Sequence, residues 1–127
     1  MMQLLAVGIG GFMGSIFRYL LSTYINTRFG QAFTFLGTLS VNLLGCLLIG
    51  IFIGFFNHKV EMAPEIKLLL VTGLLGGFTT FSTFSLESFH FYKAGDYGFL
   101  ALNLGTNFVF GFLFVGLGLW FSESLFS

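Results

Sequence analysis

Apolar residues fill four long stretches of this chain, and the polar residues between them collect in three short intervals. The stretches run about Leu4 to Tyr24, Phe33 to Phe56, Ile66 to Phe91 and Tyr97 to Phe121. Each is close to the roughly 20 residues that a helix needs to cross a bilayer. The intervals, Ile25–Ala32, Asn57–Glu65 and Tyr92–Asp96, are too short for anything but connectors. The pattern predicts an all-α membrane protein of four transmembrane helices, with residues 1–127 as a single transmembrane domain. The first residues, Met-Met-Gln-Leu-Leu, lack a basic region and a small-residue cleavage site, so they read as a retained first helix rather than a signal peptide.

One span departs from the pattern. From Gly73 to Ser85 the third stretch reads Gly-Leu-Leu-Gly-Gly-Phe-Thr-Thr-Phe-Ser-Thr-Phe-Ser. A helix that only had to cross a bilayer gains nothing from adjacent glycines and adjacent threonines at mid-depth. Irregular backbone survives there only where protein buries it or where it lines a wet cavity. Polar side chains there also need partners, because hydrocarbon offers none. The third helix is therefore expected to break at mid-membrane, at a transport site.

Composition sharpens this reading. Hydrophobic residues make up 56% and charged residues 8% of the chain, against about 25% charged in soluble domains. The formal net charge is zero, which argues against nucleic acid as a partner. The single Cys46 has no internal partner and reads as a small packing residue beside Gly45. Gly10-xxx-Gly14, Gly50-xxx-Gly54 and Gly73-xxx-Gly77 let helix backbones approach closely. Lys59 and Lys67 fall on one side of the four-span plan; Arg28 and Lys93 fall on the other, with Arg18 near that end of the first span. Lys and Arg bias sets orientation. A balance this even predicts insertion in both orientations and an antiparallel homodimer whose two-fold axis lies in the membrane plane.

Polar residues inside the spans are candidates for function. Thr38 and Asn42 share a face of the second span, as do Asn103 and Asn107 in the fourth, with Thr106 beside them. Thr79, Ser82 and Thr83 form a third strip. All are neutral and all carry hydrogen-bond donors. Apart from the boundary residues Arg18 and Glu87, and Lys67 and His90 at the very ends of the third stretch, the spans contain no acidic or basic side chain, so the buried carboxylate relay of a proton-coupled pump is missing. Donor-lined, uncharged walls suit a small anion moving down its gradient. Phe78, Phe81 and Phe84 recur every third residue, so they are expected to stack along one helix face, interleaved with hydroxyls. Ring edges are positive and could favour an anion without trapping it. Arg18 could draw anions into a vestibule or simply snorkel to the interface. Glu87 could line the path or serve as a structural hydrogen-bonding group. No nucleophile–base pair or metal-ligand cluster is found, so an enzyme is not expected.

Gly73-Leu-Leu-Gly-Gly-Phe-Thr-Thr-Phe-Ser-Thr-Phe closely resembles the signature of the small bacterial fluoride channels, the Fluc (CrcB) family. Gly37-Thr-Leu-Ser-Val-Asn-Leu-Leu-Gly45 resembles that family's second motif and Gly11-Phe-Met-Gly-Ser-Ile-Phe-Arg18 its first. The resemblance implies passive, selective fluoride export from the cytoplasm across the bacterial inner (plasma) membrane, by a multi-pass antiparallel homodimer with two pores. It places Phe81 and Phe84 in a phenylalanine box, Asn42 on the pore wall, and Ser82 and Thr83 on a polar track, with Asn107 and Glu87 alongside. It puts Arg18 in the vestibule and a structural Na+ ion at the dimer interface on the backbone carbonyls of Gly76 and Thr79. In the fourth span, Asn103 and Asn107 stand where relatives often have tyrosine or serine. The rival readings are a dual-topology, proton-coupled drug antiporter, whose family relies on a first-span glutamate missing here, and a non-transporting assembly subunit.

Overall fold

The computed structural model describes residues 1–58 and 62–126. Lys59, which the topology count used, lies outside them. Among the described residues, four stretches are long and apolar enough to cross a membrane: Met2–Phe29, Phe35–Asn57, Pro64–Ala94 and Tyr97–Phe126. The first two are helices α1 and α2. The third comprises two helical limbs, α3 (residues 64–78) and α4 (Phe81–Ala94), and the fourth is α5 (Tyr97–Phe126).

The helix ends follow from local chemistry, and they differ from the expected boundaries by a few residues. Helix α1 runs five residues beyond the expected Tyr24, through polar Asn26, Thr27 and Arg28. Its last turn is tied to α2, because Asn26 Oδ1 accepts the Gly37 N–H at 3.0 Å. Residues that read as a loop therefore act as a clasp. Gly30, with φ +81°, turns the chain, and its N–H closes on the Asn26 carbonyl at 3.0 Å. Pro64 opens α3, where a missing N–H costs nothing. Gly95, with φ +74°, ends α4: its own N–H bonds the Tyr92 carbonyl and that of Asp96 bonds the Phe91 carbonyl, a Schellman closure.

Packing rests on close backbone approach. Helix α1 crosses α3 with Gly10 and Gly14 set against Gly73, Leu74 and Phe78. Gly77 in turn faces the Gly11 backbone. Helix α2 runs along α5, where Gly50 faces Gly118 and Gly54 faces Ser122. The three glycine pairs singled out in the sequence thus all lie at helix crossings. In a bilayer, contacts of this kind stand in for a water-driven hydrophobic effect. Buried side chains are few, chiefly Phe35, Val41, Leu75, Phe78 and Phe84. Among the described residues, thirty-four large apolar side chains are exposed, the distribution expected of a surface solvated by lipid rather than water.

Candidate functional site

The site grows from two residues. Thr79 (φ −85°, ψ 157°) and Thr80 (φ −147°, ψ 107°) are extended, with helix on either side. β-Branched residues favour such angles, and the preceding glycines weaken the helix. Thr80 then restarts it, because its hydroxyl accepts the Thr83 N–H at 3.3 Å and so caps α4. The hydroxyls of Thr80 and Thr83 lie 2.9 Å apart, and that of Ser82 is 3.4 Å from Thr80. Ser82 and Thr83 are exposed, while Thr80 is buried.

Extended backbone frees its polar groups from helical partners, and other spans satisfy them. Asn42 on α2 takes the Thr80 N–H on Oδ1 at 2.8 Å and returns Nδ2 to the Thr80 carbonyl at 3.2 Å. The same Nδ2 donates to Asn107 Oδ1 at 3.1 Å. Asn107 Nδ2 donates to the Asn103 carbonyl at 2.9 Å and to Asn103 Oδ1 at 3.1 Å. Asn103, fully buried, donates to Ser88 Oγ at 3.1 Å. Arg18 reaches across from α1 to the Thr79 carbonyl at 3.2 Å. Thr38 donates to Glu87 Oε1 at 2.6 Å. Glu87 Oε2 is buried with no hydrogen-bond partner among the described residues.

Asn42, Asn107, Thr80, Ser82 and Thr83 therefore come together around the extended pair. Ser15, Arg18, Ser22, Thr38, Thr80 and Thr83 line a cleft of about 230 Å³. Phe81 and Phe84 sit with ring centroids 5.6 Å apart, and Phe84 meets Phe108 edge-on at 5.9 Å. Phe84 is buried, but Phe81 is 72% exposed on the single chain. Phe81 borders a cavity of about 380 Å³ shared with Asn42, Cys46, Thr79 and Asn107.

Two expected groupings are corrected. Phe78 does not continue the Phe81–Phe84 stripe, because the extended pair lies between them; it is buried instead in an apolar groove with Leu44 and Leu48. Thr79 does not join Ser82 and Thr83, because its hydroxyl bonds back to the Leu75 carbonyl at 3.0 Å. Thr80 takes that place, and the Thr80-Phe-Ser-Thr83 spacing of a helix cap was the signal for it. Ser88 was also missed, as were the π-helical turns at Leu68–Leu75 and Thr106–Phe110 that flank the site. Such turns often accompany functional sites, and no residue pattern here announces them.

The proposed cation ligands can be tested against the backbone. The Thr80 N–H that would close on the Gly76 carbonyl in a continuous helix goes to Asn42 instead, so that carbonyl is released. The Thr79 carbonyl bonds Arg18 with one lone pair and retains a second. Both are oxygen donors of the kind that suits a hard cation. One chain supplies two such carbonyl oxygens.

Comparison with known proteins agrees across the chain. Residues 5–119 match the model of the family described as CrcB-like protein, Camphor Resistance (CrcB). The chain is 48% identical over 121 residues to the fluoride-specific ion channel FluC of Aquifex aeolicus, covering 94% of this chain and 96% of that one. It is 40% identical over 119 residues to the protein of the same name in Maridesulfovibrio salexigens, covering 94% of each. The Hydrogenobaculum protein of that name is 46% identical over 119 residues, 92% of this chain and 94% of its own. A match of this extent, reaching every motif and all four spans, makes the chain a member of the CrcB family.

Proposed function

We propose that this protein is a passive fluoride-selective channel that exports fluoride from the bacterial cytoplasm. The observation that carries the reading is the extended Thr79–Thr80 pair, which gathers neutral donors where a plain span would have none. Relatives that bear the name fluoride-specific ion channel align along nearly the whole chain. The protein is a multi-pass membrane protein and not an enzyme. The antiporter alternative finds no support, because the first span carries no glutamate.

In this reading the extended pair breaks the third span at mid-membrane. The hydroxyls of Ser82 and Thr83, beside the N-terminal end of α4, offer a small anion hydrogen bonds and the positive end of a helix dipole. Arg18 draws anions toward the cleft from one side. Asn42 and Asn107 form the adjoining wall, and Glu87 holds the Thr38 hydroxyl. Phe81 and Phe84 lend ring edges, weak enough for the ion to leave. Phe81 is too exposed to act within one chain. A second copy, inserted in the opposite orientation, covers it and completes two pores. A structural Na+ ion on the Gly76 and Thr79 carbonyls of both copies would pin the two breaks together. It would compensate oxygen atoms that no helical N–H reaches.

The test is ion-selective electrode recording of efflux from liposomes that contain the purified protein. Fluoride should leave rapidly and chloride should not. Comparable fluxes of the two ions would reject the proposal.

A further inference from the structure

The ladder of asparagines has a direction. A backbone N–H can only donate and a backbone carbonyl can only accept. The Thr80 N–H therefore requires the oxygen of Asn42, at 2.8 Å, which turns the Asn42 nitrogen toward the Thr80 carbonyl and Asn107. Asn107 must then present oxygen to Asn42 and nitrogen to the Asn103 carbonyl, at 2.9 Å. Asn103 presents its oxygen to Asn107 and its nitrogen to Ser88, whose own hydrogen goes to the Phe84 carbonyl at 2.9 Å. Fixed backbone groups at both ends set every amide along the way.

Both hydrogens of Asn42 Nδ2 have partners within the ladder, as do both of Asn107 Nδ2. Neither amide has a donor left for a passing anion. We infer that Asn103 and Asn107 are positioning residues: they fix the Asn42 amide as a brace on the Thr80 backbone, so that the exposed hydroxyl of Thr83, which accepts from Thr80 and keeps its own hydrogen, supplies the donor that meets the ion, with Ser82 beside it. The inference rests on the reading that the ion path passes Thr80. Complete burial of Asn103, one rung beyond Asn107, suits a role carried through other residues.

Amide hydrogen exchange at Thr80, measured by NMR on isotope-labelled protein in lipid, tests this without reference to fluoride. Asn103→Leu removes a rung at similar volume. It should speed exchange at the Thr80 N–H about tenfold, the effect of losing a well-oriented hydrogen bond. The neighbouring Thr79 N–H, held by the Leu75 carbonyl at 3.0 Å, should stay protected. A merely structural role would loosen both. Ser88→Ala, a smaller change at the ladder's far end, should act in the same sense and carries the test if Asn103→Leu does not assemble. With Asn42→Ala as background, Asn103→Leu should add nothing at Thr80. Unchanged Thr80 exchange in both single variants, or full additivity with Asn42→Ala, would overturn the inference. If the exchange responds as expected but liposomes pass no fluoride, the ladder stands and the channel reading falls.

Discussion

Gly14→Ala probes the crossing that holds the break in place. A methyl group at Gly14 would lie 2.9 Å from both the Leu74 carbonyl carbon and the Phe78 nitrogen, and closer still to the Leu74 oxygen. Ordinary contact begins at 3.4 Å, so α1 and α3 must part by about half an ångström or more, since no backbone atom can swing aside as a side chain could. Overpacking of this kind costs about 1–3 kcal/mol. Gly8→Ala on the same helix is the control, because nothing lies within 4 Å of its added methyl; exchanging glycine for alanine in an open helix gains up to about 1 kcal/mol. Gly14→Ala gains the same helix preference, so that term cancels and the two variants should differ by the overpacking alone, about 1–3 kcal/mol, in reversible unfolding by SDS titration in detergent. Fluoride flux should fall with Gly14→Ala as well: Phe78 directly precedes the extended pair, and Arg18, one turn beyond Gly14, would move off the Thr79 carbonyl. Stabilities of the two variants within about 0.5 kcal/mol of each other would refute the reasoning, since that is the spread of neutral surface changes.

Replacing Phe81 or Phe84 by Ile keeps bulk and removes the ring edge; fluoride flux should collapse in each while the size-exclusion profile stays that of the unaltered protein, whereas Phe52→Ile should be silent. Asn42→Asp puts an acceptor where the Thr80 and Asn107 oxygens need a donor, and liposome flux should be lost with little change in side-chain volume. Adding two or three lysines to the connector between α2 and α3 should force one orientation and abolish fluoride resistance in cells. Co-expression with a variant of opposite bias should restore it, and full activity of the forced form alone would rule out the antiparallel arrangement.

The spans were legible because lipid imposes one requirement along each whole stretch, and a run such as Leu43 to Phe56 satisfies it at almost every position. Their ends were less so: Asn26 looks like loop residue until its contact with Gly37 is known, and that contact joins residues eleven apart. The site was legible in composition and illegible in pairing. Gly76, Gly77, Thr79 and Thr80 announced an irregular segment, but not which threonine would cap the next helix and which would turn back to Leu75. A stripe counted by threes through Phe78, Phe81 and Phe84 assumed the continuous helix that the same segment interrupts. Asn103 and Asn107 read as a polar face, whereas their consequence depends on Asn42, more than sixty residues away in the chain, and on Ser88 in a third element. Hydrogen-bond partners across spans leave no periodic trace in any one of them.

Two charged side chains next to the extended pair and its neighbours, Arg18 and Glu87, help explain how an irregular segment is tolerated in an apolar setting. Arg18 and Glu87 do not pair with each other. Arg18 bonds the Thr79 carbonyl and Glu87 accepts from the Thr38 hydroxyl, so each makes a charge-assisted bond to a neutral group, of the stronger kind. The Thr79 carbonyl needs such a partner because the extended backbone has taken it out of the helix. Asn42 does the same for both polar groups of Thr80, and Asn107 and Asn103 hold Asn42. What remains unmatched is unequal in sign. The Thr83 hydroxyl lines the cleft beside a helix N-terminus, with the exposed Ser82 next to it in the chain; behind Thr38, an oxygen of Glu87 has no described partner. Under the proposed channel reading, that asymmetry favours a path past Arg18 and Thr83, with Thr38 between it and Glu87.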